Sequence, residues 1–168
     1  LGVGRLVLID PEELEDTNRN RYIGVRHDDP VPSTLKVDVG KRLVNEINPR
    51  IEVACIPESL VSQAAFNSII GCDYAFGCLD KEGIRLILNE LCAAYAKPYF
   101  DLASDILPED SQYGGRVCVA WDGHGCLVCY DELDIAEAQT DLMSPGERRD
   151  RDAIYGIPPE ALREAGPS

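Results

Sequence analysis

Short apolar runs recur along the chain, and most are closed by an acidic residue or a turn former. Leu6-Val7-Leu8-Ile9 ends abruptly at Asp10, the pattern of a buried parallel strand with a carboxylate at its carboxyl end. Residues 11–33 read as loop with a helical turn near Asn18–Tyr22, and Asp28, Asp29, Pro30 and Pro32 keep the second half irregular. From Thr34, the positions Leu35, Val39, Leu43, Val44 and Ile47 repeat at helical spacing, with Ser33 as the N-cap and Asn48-Pro49 as the stop. Ile51–Ile56 alternates like a strand. The next helix opens at Ser59 or Ser62, carries Ala65, Phe66, Ile69 and Ile70, and ends at Gly71.

The same alternation continues. Asp73–Cys78 predicts a short strand running toward Asp80, and residues 82–96 predict an amphipathic helix. Pro98–Asp101 starts another strand, residues 103–113 read as loop, and Gly115–Trp121 reads as a strand antiparallel to the rest. Gly123–Gly125 is a turn leading into Cys126-Leu127-Val128-Cys129. Residues 130–152 are acidic, then mixed in charge, and poor in apolar side chains, which predicts a mobile crossover segment. A short helix is expected over Pro159–Glu164. Strands alternating with helices predict an α/β fold: Rossmann-like, with a mostly parallel sheet flanked by helices and an antiparallel extension. The opening strand, glycine-rich turn and helix of such a sheet are missing, and no GxGxxG occurs. The expectation is a single, partial domain over 1–168, taken from inside a larger one.

Composition narrows the function. The 168 residues are 45% hydrophobic and 27% charged, as in a water-soluble domain, and neither a membrane-spanning run nor a signal peptide is visible. A cytoplasmic location is the expectation. The net charge of −14 divides into −4 over residues 1–100 and −10 over residues 101–168. That balance argues against a nucleic-acid surface, which needs many cations. A single nucleotide needs only a few, and the first hundred residues have them. Seven cysteines, an odd number spread through apolar segments, do not form a secreted disulfide framework.

Asp10 and Asp80 each follow a strand, where ligands of parallel sheets sit. One could hold a ribose and the other a magnesium ion bound to phosphates, although both also suit ordinary turns. Arg19, Arg21 and Lys36 supply nearby cations, and guanidinium forks fit phosphate oxygens. Lys36 also reads as a solvated residue of a first helical turn, where a cation is mildly unfavourable. His27 and His124 read as surface loop residues. Cys126-x-x-Cys129 looks like half of a zinc knuckle; a closed structural site needs four ligands, and no second C-x-x-C exists.

Together these motifs resemble the ThiF/MoeB/HesA family, which includes the adenylation domains of ubiquitin-activating enzymes. The resemblance rests on Asp10, Glu12, Asn18 and Arg21 in RLVLIDPEELEDTNRNRY, on Lys36 opening a helix that ends in Asn48-Pro49, and on Asp80 and Arg85 in DYAFGCLDKEGIR. Lys97-Pro98, a Gly-x-Val strand and C-x-x-C complete it. It implies a homodimeric enzyme that adenylates the C-terminal glycine of a ubiquitin-like β-grasp protein of the ThiS/MoaD type with Mg-ATP, releasing pyrophosphate. It assigns Asp10 to the ribose, Arg21 and Lys36 to the phosphates, Asn18 to support of the phosphate cluster, Asp80 to Mg²⁺, and Cys126 and Cys129 to zinc. Glu12 joins the nucleotide-binding set. Lys81 departs from the pattern, which often has Asn after the crevice Asp. Residues 130–168 hold no cysteine for a thioester. The alternatives are an NAD-binding Rossmann module of an oxidoreductase and a non-catalytic dimerisation partner of an activating enzyme.

Overall fold

A computed structural model describes residues 2–107 and 112–148. The chain divides into two compact units, Leu1–Cys72 and Asp73–Ser168. The expected helix over Pro159–Glu164 lies outside the described residues.

In the first unit, β1 (Arg5–Ile9) pairs in parallel with β2 (Glu52–Ile56), Leu6 opposite Val53 and Leu8 opposite Cys55. The Asp10 amide donates to the Ile56 carbonyl at 3.2 Å, which carries the ladder one rung past β1. Parallel strands need a crossover, supplied here by α1 (Lys36–Ile47). Val37 and Val39 are both buried, Val39 on the side of the helix that meets the loop at Gly24. Gly40 brings the helix close to β1, since a Cβ there would stand 2.9 Å from Leu8 Cδ1. α2 (Gln63–Gly71) is capped by Ser62, whose Oγ accepts the Ala65 amide, and buries Ala65 and Ile69.

Ser33 does not cap α1. The N-cap is Leu35, which has no side-chain cap bond, and Ser33 stands before it at a φ of +131°. Backbone from the acidic loop takes the cap's place: the Lys36 amide donates to the Glu12 carbonyl at 3.0 Å, the Leu14 amide donates to Thr34, and Glu13 bridges Leu35. Leu14, 1% exposed, anchors that loop in the core. The loop carries a short 3-10 segment, Asp16–Asn18, followed by the expected turn over Asn18–Tyr22, where the Tyr22 amide donates to the Asn18 carbonyl at 2.8 Å.

In the second unit, β3 (Ala75–Gly77) runs parallel to β4 (Tyr99–Leu107), and β5 (Gln112–Ala120) is antiparallel to β4. The connection from β3 to β4 is α3 (Glu82–Ala94). β4 and β5 run on through much of 103–113, the stretch read as loop. Cross-strand backbone bonds hold Ser104 opposite Gly115 without an apolar pattern; residues 108–111 lie outside the described residues. Within 130–152 the chain forms α4 (Ile135–Leu142), capped by Asp134 and set on α3 through the buried Ala138. Gly83 permits that approach, since a Cβ on it would lie 2.8 Å from Asp141 Cβ.

Candidate functional site

The first unit gathers Asp10, Glu12, Lys36 and Tyr22. Asp10 leaves β1 half-buried, and its Oδ1 accepts the Glu12 amide at 2.9 Å. Lys36 opens α1 with its side chain 16% exposed, and its ammonium donates to the Glu12 carboxylate. Burial alone pulls the Lys36 ammonium down; the hydrogen bond and charge of Glu12, with Asp10 and Tyr22, more than offset this and leave it raised. Tyr22 donates its hydroxyl to the Lys36 carbonyl at 3.4 Å. Burial first, and then the Asp10 charge, push the Tyr22 phenol up. The result is one firmly protonated cation between two carboxylates where β1 ends.

Asn18 is 5% exposed and its polar atoms serve the loop: Oδ1 accepts the Glu15 amide, and its carbonyl accepts the Arg21 and Tyr22 amides. Arg21 lies three residues on, exposed, with no side-chain hydrogen bond or ion pair among the described residues. Arg19 does not point to an open site. It donates to the carbonyls of Arg26, His27 and Asp29 and pairs with Asp16. Asp29 in turn takes the Arg42 fork, both bonds at 2.7 Å, along with the Arg26 amide. The Arg42 guanidinium holds the Asp29 carboxyl at about 2. This knot folds back the loop that carries Asn18 and Arg21. Sequence reasoning missed it, since Arg42 is one more cation on a helix and Asp29 one more acid beside prolines. Tyr22 was missed too, although it directly follows Arg21.

Asp80 belongs to the second unit, on the exposed loop between β3 and α3. Arg85 is buried. Its Nε and Nη2 donate to Asp101 at 3.2 and 2.5 Å, and it pairs with Glu82. Asp101 is wholly buried and also accepts the Tyr99 hydroxyl at 2.9 Å. Cys126 and Cys129 follow the Gly125 turn with their sulfurs 3.7 Å apart. The buried Asn89 fixes that turn by accepting the Leu127 amide. Burial pushes the Cys126 thiol up, but hydrogen bonds from the Cys129 amide, the Asn89 side chain and Cys129 outweigh it and leave it lowered. Two adjacent thiols, one of them acidified, fit zinc in donor chemistry and supply half of a four-ligand site. Among the described residues no three His, Cys, Asp or Glu gather for a metal. His27 and His124 are exposed. Cys92 is buried, while Cys55 and Cys118 are half-buried. No described helix is long and apolar enough to cross a membrane.

An acid after a parallel strand, and a lysine opening the following helix, place this chain among Rossmann-like α/β domains. It belongs to the ThiF family, whose sequence pattern matches residues 1–152. The adenylyltransferase and sulfurtransferase MOCS3 of Drosophila yakuba is 32% identical over 122 residues, covering 70% of this chain and 26% of that protein. The HesA protein of Leptolyngbya boryana is 28% identical over 140 residues, covering 76% of this chain and 49% of that one. The chain thus spans less than half the length of these relatives. The fold is shared with E. coli MccB, solved with ATP, at a TM-score of 0.61 and 22% identity over 86% of this chain and 42% of that chain.

Proposed function

We propose that the full-length protein uses Mg-ATP to adenylate the C-terminal glycine of a ubiquitin-like protein of the ThiS/MoaD type. The observation that carries this reading is Lys36, a half-buried ammonium paired with Glu12 and kept charged by Glu12 and Asp10 at the end of β1. A nucleotide site of this kind needs a carboxylate for the ribose hydroxyls and cations for the phosphates, close together. The adenylyltransferase names of MOCS3 and of the related UBA4 proteins support the same chemistry.

In this reading Asp10 accepts from the ribose hydroxyls, with its orientation set by the Glu12 amide. Lys36 and Arg21 bind phosphate oxygens and stabilise charge that builds up during displacement. Glu12 aims Lys36, and Asn18 acts by shaping the turn that carries Arg21. The carboxylate of the glycine tail attacks the α-phosphorus, and the bond to pyrophosphate breaks. No general base is required, because that carboxylate is already ionised near neutral pH. Asp80 is the residue that would hold Mg²⁺, an ion that screens phosphate charge. Cys126 and Cys129 supply two ligands of a structural zinc site, and the working form is a homodimer. Isothermal titration of the full-length protein with Mg-ATP and, separately, with NAD tests the nucleotide class. Binding of Mg-ATP that is lost in Asp10→Ala supports the proposal; binding of NAD alone overturns it.

A further inference from the structure

Asp80 sits on an exposed loop with no hydrogen bond or ion pair of its own among the described residues. Its placement therefore depends on the two ends of that loop. Upstream, Gly77 closes β3 directly on Tyr99, and a Cβ on Gly77 would stand 2.6 Å from the Tyr99 hydroxyl oxygen. Downstream, the Lys81 carbonyl accepts the Arg85 amide at 3.0 Å, and the Arg85 guanidinium pairs with Glu82. Both ends meet in one buried cluster, where the Tyr99 hydroxyl and the Arg85 fork converge on Asp101. Arg116 approaches the same carboxylate at 3.7 Å.

We infer that this Arg85–Asp101–Tyr99 cluster is a positioning device that fixes the Asp80 loop for the reaction. Its catalytic consequence rests on the function proposed above; the anchoring itself does not. A buried ion pair is a weak source of net stability, since apolar replacements often do as well. What the pair supplies is directional attachment: a planar fork that fits one carboxylate in one orientation. Arg85 also pairs with Glu82, so its charge is balanced within the protein. It is a positioning residue and not a phosphate ligand, although it follows Asp80 by only five positions.

The test uses the full-length protein and the double variant Arg85→Met/Asp101→Asn. This variant removes both buried charges and keeps an acceptor for the Tyr99 hydroxyl. Arg85→Lys, which retains the charge and loses the fork, repeats the test with a smaller change. Three properties are measured: the melting temperature, hydrogen exchange of the amides of residues 78–82 without nucleotide, and kcat and KM for ATP in ATP–pyrophosphate exchange. Melting is expected to shift little, while the loop amides exchange at least about tenfold faster and protection in β4 and α1 holds. The kcat is expected to fall about 10–100-fold, as when outer-shell partners of a site are lost, with KM for ATP within about twofold. Unchanged loop protection overturns the inference. So does a uniform loss of protection, the mark of a merely structural pair. A raised KM at constant kcat overturns it too, since that is the behaviour of a phosphate ligand. If the parent protein shows no ATP–pyrophosphate exchange, the proposed function fails, and loop protection still decides the anchoring.

Discussion

Lys36 donates its ammonium to the carboxylate of Glu12, a partner 24 positions earlier in the chain. The same two residues are joined through the backbone, where the Lys36 amide donates to the Glu12 carbonyl. The acidic loop after β1 and the first turn of α1 are therefore tied together through backbone and side chain at the same two residues. In the proposed reaction Lys36→Met lowers kcat/KM for ATP by about 10²–10³-fold, the scale for losing one preorganised charge donor. Glu12→Gln costs less, and the double variant costs no more than Lys36→Met alone, because Glu12 acts through Lys36. Steady-state kinetics of the four proteins check this. Additive losses would mean that Glu12 acts on its own.

Asp29 and Arg42 predict an acid-sensitive loop. The folded carboxyl is depressed to about 2 from its ordinary 3.8. A depressed carboxyl contributes stability that is complete above its unfolded value and is lost as pH falls through the folded one. In urea unfolding, the difference between the parent and Arg42→Met is therefore full above pH 4 and closes toward pH 2. A gap that stays constant over that range contradicts the ion pair as its source.

Gly83 and Asp141 predict how α4 is held. The Gly83 amide, orphaned at the start of α3, donates to Asp141 Oδ2 at 3.2 Å. Asp141→Ala removes this cap from α4 and is expected to cost about 1 kcal/mol. Gly83→Ala places a methyl group against Asp141 Cβ, the Ala138 carbonyl and Leu142, and is expected to cost about 1–3 kcal/mol by overpacking. Denaturant melts measure both. A neutral Gly83→Ala would mean that α4 does not sit on α3 in solution.

The thiols predict a reactivity order. Cys126 is lowered by its hydrogen bonds, whereas burial pushes Cys55 and Cys118 up. Iodoacetamide at neutral pH is expected to label Cys126 before either of the others, as peptide mass spectrometry reads directly. Added zinc is expected to slow labelling of Cys126 and Cys129 together. Equal rates for Cys126 and Cys118 would contradict the order.

Elements with local signals were legible in the sequence. The run ending at Asp10 marked β1, Ser62 proved the N-cap of the two serines read for α2, and Asn48-Pro49 marked a true stop. What the sequence hid depends on distant partners. Asp101 reads only as part of a strand, and nothing near it in the chain marks it as wholly buried, where Arg85 and Tyr99 meet it. Ser33 has the right chemistry for a cap, but the Glu12 carbonyl of the acidic loop takes the Lys36 amide instead. α4 carries little apolar pattern because it is held largely by Ala138 and by polar bonds to Glu82 and Gly83. In the site, Asp10 and Lys36 were readable as a strand end and a helix start. Glu12's hold on Lys36, and the Asp29–Arg42 knot behind Arg21, arise only once the loop is folded.

In the proposed reaction, the acid–lysine site after β1 serves adenylation of a ubiquitin-like tail. ATP–pyrophosphate exchange by the full-length protein with Mg²⁺ and a ThiS/MoaD-like protein from the same genome tests it most directly. Exchange is expected to need the partner's terminal glycine and to fall about 10²-fold or more in Asp10→Ala and Lys36→Met. No exchange with any ubiquitin-like protein of that genome, or exchange indifferent to both substitutions, would contradict it.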